Sequence, residues 1–179
     1  MEECIFCKIS KGEIPSMKVY EADDALAFLD INPRNKGHTL VIPKRHYETV
    51  MEMPDEEVGE LFKTVKKIAM AVKEGVEASG VNISQNNGKA AGQVVPHVHF
   101  HVIPRFETDQ VKAGSEALLP PVKVEEAEMN EIRKKISENV PEGAKEAPKE
   151  KPIETEQANE EPEEAEETGE DFKRIDFNF

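Results

Sequence analysis

The stretch "VVPHVHFHVIPR", residues 94–105, alternates imidazoles with apolar side chains between two prolines. Successive side chains of a β-strand project to opposite faces. An extended run here therefore puts His97, His99 and His101 on one face and Val98, Phe100 and Val102 on the other. The apolar trio belongs to a core and the imidazoles line a site. Two strand residues span about 6.6 Å, so the outer histidines stand about 13 Å apart. Zinc bonds of about 2.0–2.1 Å to nitrogen cannot gather all three rings on one ion unless the strand bends sharply. Separate jobs are expected for these three of the chain's five histidines.

Upstream, "MKVYEA" (17–22) and "ALAFLDI" (25–31) are short apolar runs parted by two aspartates, the pattern of a hairpin. "GHTLVIPKRH" (37–46) reads as a strand closing near Pro43. In 54–80, Val58, Leu61, Phe62, Val65, Ile68, Ala69, Val72 and Val76 recur at steps of three and four, with acids early, lysines later and Gly80 as the stop. This predicts a long amphipathic helix. "VNISQN" (81–86) reads as a strand, "NGKAAGQ" (87–93) as a loop and "VEEAEMNEIRKKISENV" (124–140) as a C-terminal helix. Strands joined mostly by short connections, with one long helix, predict an α+β fold: an antiparallel sheet with the helix packed on it.

The 179 residues suffice for one domain with a core, expected over 1–140. From Pro141 to Phe179 there are 14 acidic and 5 basic side chains, so most of the net charge of -14 lies there. The segment is poor in large apolar residues and is expected to be a disordered acidic tail. Its end, "DFKRIDFNF", restores three phenylalanines and an isoleucine and reads either as a frayed terminus or as a short anchor. The negative charge argues against long nucleic acid and anionic membranes as partners. No apolar run approaches the ~20 residues of a membrane span, and the first residues lack a signal-peptide pattern, so a cytoplasmic protein is expected. Cys4 and Cys7 are the only cysteines, a Cys-x-x-Cys pair that in a reducing compartment points to metal or redox chemistry.

Taken together, "CIFCKI" (4–9), "GHTLVIPKRH", "NNGKAAGQ" (86–93) and "HVHFHVIP" (97–104) resemble, in order and spacing, the histidine triad superfamily of nucleotidyl hydrolases and transferases. The likeness runs to about residue 106 and leaves out the tail. It implies cleavage at the α-phosphorus of a purine nucleotide derivative, a phosphoramidate or a dinucleoside polyphosphate, through a covalent nucleotidyl-histidine. His99 matches the nucleophile, His101 the ring that hydrogen-bonds phosphate oxygens, and His38 a residue supporting the triad. Asn86 matches an amide near the phosphate. Gly92, Gln93 and Val94 match the approach, whose backbone N–H groups can face developing negative charge; many relatives carry Ser or Thr where Val94 stands. Asp30 resembles the acid that holds the ribose hydroxyls, or else is a turn residue of "LDINPRN" (29–35). Ile5, Phe6, Ile9, Phe28 and Ile31 resemble the base-binding wall, a role that competes with simple core packing.

The resemblance also implies a structural Zn2+ on Cys4, Cys7, His46 and His97, with a redox-active dithiol as the other reading, and a homodimer joined through sheet edges. Two other functions stay open on sequence. One is a nucleotide-binding adaptor whose tail recruits partners. The other is a metallohydrolase that uses the histidines as ligands.

Overall fold

The computed structural model describes residues 4–109 and 120–141. The acidic tail and its aromatic end lie outside these residues, apart from Pro141. Five strands form one antiparallel sheet: β1 (Lys18–Glu21), β2 (Ala25–Leu29), β3 (Thr39–Pro43), β4 (Gly80–Gln85) and β5 (Phe100–Arg105), in the order β1-β2-β3-β5-β4. Three helices accompany it: α1 (Ile5–Ser10), α2 (Asp55–Gly75) and α3 (Glu126–Glu138). The expected α+β architecture, with its N-terminal hairpin and two main helices, is what forms. No helix among the described residues is long and apolar enough to cross a membrane.

Alternation along the central strands serves two apolar clusters. Ala25, Ala27 and Leu29 of β2, Val41 of β3, and Phe100 and Val102 of β5 join Leu61, Val65, Ile68 and Val72 of α2 and Met129, Ile132 and Ile136 of α3. On the opposite face Leu26 and Phe28, with Leu40 and Ile42, pack against Phe6 and Ile9 of α1. Both β2 and β3 are thus buried at every residue. The face away from α2 is the one that α1 covers, and the histidines open onto it.

Two sequence expectations are corrected here. Helix α2 ends at Gly75, not at Gly80, which opens β4 instead. Glu77 turns left-handed (φ 55°), its N–H donates to Glu74 O (3.2 Å), and the N–H of Ala78 donates to Lys73 O (2.9 Å). This is a Schellman closure built on a glutamate, so the glycine cue misleads. Gly75 has another role. A Cβ there would lie 2.9 Å from Ile136 Cα, so its bare backbone lets α3 cross α2 closely.

The second correction concerns the triad. Strand β5 starts at Phe100, so only His101 of the three sits in the ladder, opposite Leu40 on one side and Ser84 on the other. His97, in a bend, and His99 lie in the approach to the strand. There the N–H of Val98 donates to Tyr47 O (2.8 Å), outside the sheet. The approach leaves the ladder at a bend, where the N–H of His97 donates to Val95 O (2.8 Å).

Candidate active site

The N-terminal turn of α1, the segment after β3 and the approach to β5 bring together Cys4, Cys7, His46 and His97, whose ligand atoms all lie within 4.8 Å of one another. His97 Nδ1 stands 3.4 Å from Cys4 Sγ, 3.6 Å from Cys7 Sγ and 3.2 Å from His46 Nδ1, and Cys7 Sγ stands 3.4 Å from His46 Nδ1. Tetrahedral bonds of about 2.0–2.1 Å to nitrogen and about 2.3 Å to sulfur give edges of about 3.3 Å between nitrogens and about 3.5 Å between nitrogen and sulfur. The four distances match that frame, and the four residues could hold a metal ion. His97 is fully buried, and its Nε2 lies 2.9 Å from Pro43 O. A carbonyl only accepts, so Nε2 carries the proton and Nδ1 presents a lone pair to the cluster. Burial pulls the His97 pKa down to about 4, which keeps that lone pair free at neutral pH. Burial, then the hydrogen bond that its thiol makes to Cys4, pushes the Cys7 pKa up.

The same reasoning fixes the other two rings. His99 Nδ1 lies 2.7 Å from the carbonyl oxygen of His97. Nδ1 therefore carries a proton, and in the neutral ring Nε2 is the nitrogen with the free lone pair. Phe6 packs edge-on against this ring, centroids 5.3 Å apart, and against His97 at 5.9 Å. His101 stands 5.0 Å from His99, centroid to centroid.

For His101 the assignment starts at a backbone amide. Arg34 N–H donates to His38 Nδ1 (3.1 Å), so the proton of His38 is on Nε2 and points to His101 Nδ1 at 3.0 Å. His101 must then carry its proton on Nε2, a donor left for an anionic oxygen. Burial lowers both pKa values to about 4. For His38 the nearby Asp30 charge pulls the other way without reversing it, Oδ2 lying 3.5 Å from Nδ1. The other carboxylate oxygen of Asp30 accepts the N–H of Asn32 (2.8 Å), so Asp30 does shape the turn.

The loop before the triad is tied by Gln93, only 8% exposed. Its Oε1 accepts the N–H of Gly88 (2.6 Å), and its Nε2 donates to Glu48 O (2.7 Å) and Val95 O (3.0 Å). The amides of Gly92 and Gln93 donate to Lys89 O and Gly88 O. Two of the three approach amides expected to face negative charge are thus spent inside the loop, because the short turn at Lys89–Ala91 closes on them; the Val94 amide has no such bond. Val94 itself is 88% exposed. Gly92 sits at φ 84°, with Asn86 Nδ2 3.6 Å from where a Cβ would be. The neighbours of Asn86, Gln85 and Asn87, bond each other, and Asn87 Oδ1 accepts the N–H of Val50.

Of the apolar wall, Phe6, Ile9 and Phe28 are buried, and the rings of Phe6 and Phe28 meet edge-on at 5.7 Å. Ile5 is half exposed, and Ile31 is almost fully so. Sequence reasoning missed Asn35, which is buried and donates to Pro104 O (3.1 Å) and Asp109 Oδ2 (2.8 Å), pinning the turn before β3 to the end of β5. It also missed the main-chain groups of Pro43, His97 and Arg34, which no side-chain motif announces.

Comparisons with known proteins agree with this geometry. Over 135 residues the chain is 53% identical to an uncharacterized HIT-like protein of Methanocaldococcus jannaschii, covering 74% of this chain and 98% of that one. Over 102 residues it is 51% identical to an adenosine 5'-monophosphoramidase of Schizosaccharomyces pombe, covering 57% of this chain and 74% of the relative. A crystal structure of a Zn-bound histidine triad family protein from Mycobacterium smegmatis superposes with a TM-score of 0.65 at 36% identity, covering 76% of this chain and 95% of that chain. The HIT domain model matches residues 11–108, more than half of the chain. With its alternating imidazoles held each in a different environment, this chain belongs to the HIT family.

Proposed function

We propose that the protein hydrolyses nucleotide derivatives at the α-phosphorus, with a purine nucleoside phosphoramidate as the leading substrate class and dinucleoside polyphosphates as the next. The observation that carries this reading is the pair of fixed tautomers at the centre of the site: a lone pair on His99 Nε2 beside a donor on His101 Nε2. His99 Nε2 attacks the phosphorus, the P–N bond breaks, and the amine leaves on taking a proton from solvent, which the water of the second step returns. Water then attacks the nucleotidyl-His99, the P–N bond to the ring breaks, and the nucleoside monophosphate departs. His99 Nδ1–H donates to the His97 carbonyl throughout, and the dipole of that carbonyl offsets the positive charge that the substituted ring gains. His101 Nε2–H meets a phosphate oxygen, and His38 holds it in that tautomer. Asn86 lies near the leaving group, and Asp30 takes the ribose hydroxyls. The Schizosaccharomyces pombe relative, by its name, supports the phosphoramidate class.

Cys4, Cys7, His46 and His97 would hold Zn2+, which supplies a structural cross-link from the N-terminus to the approach of β5. The Mycobacterium smegmatis neighbour supports the choice of metal. A homodimer formed through the β4 edge accounts for Phe62, Met70 and Ile83, which stand 50%, 52% and 42% exposed.

The test is an adenosine phosphoramidate offered to wild type and to His99→Ala. Wild type should release AMP, and the variant should bind AMP as before while turnover falls by at least about 10⁴-fold. Wild type quenched during turnover should carry one nucleotidyl group on His99. An adduct on another residue, or an active His99→Ala, refutes the reading.

A further inference from the structure

The metal cluster and the nucleophile are joined by two short connections. His97 gives its ring to the cluster and its carbonyl oxygen to His99 Nδ1 at 2.7 Å. Phe6 lies between Cys4 and Cys7 in the first turn of α1 and presses on the His99 ring at 5.3 Å. Whatever moves the two sulfurs therefore moves both groups that orient the attacking ring. The sulfurs differ in access: Cys4 is partly exposed, whereas Cys7 is buried.

We propose that Cys4 and Cys7 are an oxidation site whose conversion to a disulfide expels the bound metal and misaligns His99, so that turnover depends on thiol redox state. This rests on the zinc and nucleophile assignments above. A peroxide is the oxidant. The accessible Cys4 sulfur attacks one peroxide oxygen, giving a sulfenic acid and, with a proton, one water. The Cys7 sulfur then attacks the Cys4 sulfur, the S–O bond breaks, and the hydroxide leaves as a second water on taking a second proton. The two sulfurs together lose two electrons to hydrogen peroxide, and two thiolate ligands become one disulfide without affinity for the cation. A disulfide needs its sulfurs about 2.05 Å apart, so the two side chains that flank Phe6 must leave their places beside His97 and His46. With two ligands gone, His97 keeps its bond to Pro43 O but loses the ion at Nδ1, and the carbonyl beside it loses that second anchor.

The experiment uses the full-length, zinc-loaded, reduced protein titrated with hydrogen peroxide. The expected results are a disulfide between Cys4 and Cys7 by mass spectrometry and zinc release to a chromogenic chelator in step with it. The ring nitrogen resonances of His99 should shift, and AMP release from the phosphoramidate should fall by roughly tenfold or more, the scale of losing support behind a metal ligand. Reductant with added zinc should restore all of them. Thiols that stay reduced while methionines oxidise would overturn the proposal, and so would a disulfide with zinc lost but His99 resonances and turnover unchanged. The His99 resonances read the proposal even for a different substrate: if reduced protein releases no AMP yet these signals follow oxidation, only the functional reading above fails. Cys4→Ser, expected to be insensitive to peroxide, is the control, and His99 signals that still respond in it would also overturn the proposal.

Discussion

Lowering the pH should unfold this protein through two rings that folding holds neutral. His38 and His101 share a hydrogen bond, and burial takes each from 6.5 to about 4. A depressed pKa means that the unfolded chain binds a proton the folded one refuses. The stability tied to these rings is therefore complete above about pH 6.5 and is lost as the pH falls toward 4. At about 1.4 kcal/mol per tenfold change in proton affinity, the first ring to charge costs on the order of 3 kcal/mol. The second costs at least as much, because its neighbour is by then positive. Domains of this size have total stabilities of about 5–15 kcal/mol, so the loss is large. The assay is urea unfolding of wild type and of His38→Gln/His101→Gln at pH 7.5, 6, 5 and 4, read as the difference between the two proteins so that carboxylates and the metal cluster cancel. The wild type should lose more stability than the variant, with the gap opening below pH 6.5. Parallel pH curves would refute both the burial argument and the neutral tautomers built on it.

Other perturbations follow from the packing. Gly75→Ala should destabilise by about 1–3 kcal/mol in a urea melt, because its Cβ has only the backbone of Lys135 and Ile136 to push against. Gly59→Ala, also within α2 but facing open space, should instead stabilise by about 0.5–1 kcal/mol. Glu77→Gly should stabilise by about 1 kcal/mol, since the left-handed turn that closes α2 costs a glycine nothing. Gly92→Ala should cut phosphoramidate kcat far more than it shifts the melting midpoint, because at φ 84° the new methyl strains the loop beside Asn86; an unchanged kcat would remove that loop from the site.

Much of the fold was legible because period-two and period-3.6 patterns report which faces are buried. Val98, Phe100 and Val102 enter the helix-side cluster as the alternation required, although the strand begins later than the pattern. The face of α2 was legible except at Phe62, which remains half exposed while its ring meets Phe100 at 5.9 Å. Its end was not, because a glutamate took the conformation usually left to glycine. At the site, the residues that meet around His97 come from positions 4, 7, 46 and 97; the Cys-x-x-Cys spacing pairs the first two, and nothing in the spacing joins them to His46 or His97. A family likeness did. The roles of the ring nitrogens were illegible in principle, since the groups that decide them are carbonyls and amides that every residue possesses.

That last point bears on how the three imidazoles came to differ. Chemically they are the same ring, and what separates an electron-pair giver at Nδ1, another at Nε2 and a proton giver is the path of the main chain, past His97 and His99 directly and past His101 through His38. Carbonyls and amides cannot be mutated away, so the division of labour is written where point mutations have least purchase. Redesign that aims to exchange the duties of His97 and His99 must bend the backbone, whereas His101 is reached through one side chain, His38, which relays the Arg34 amide to it.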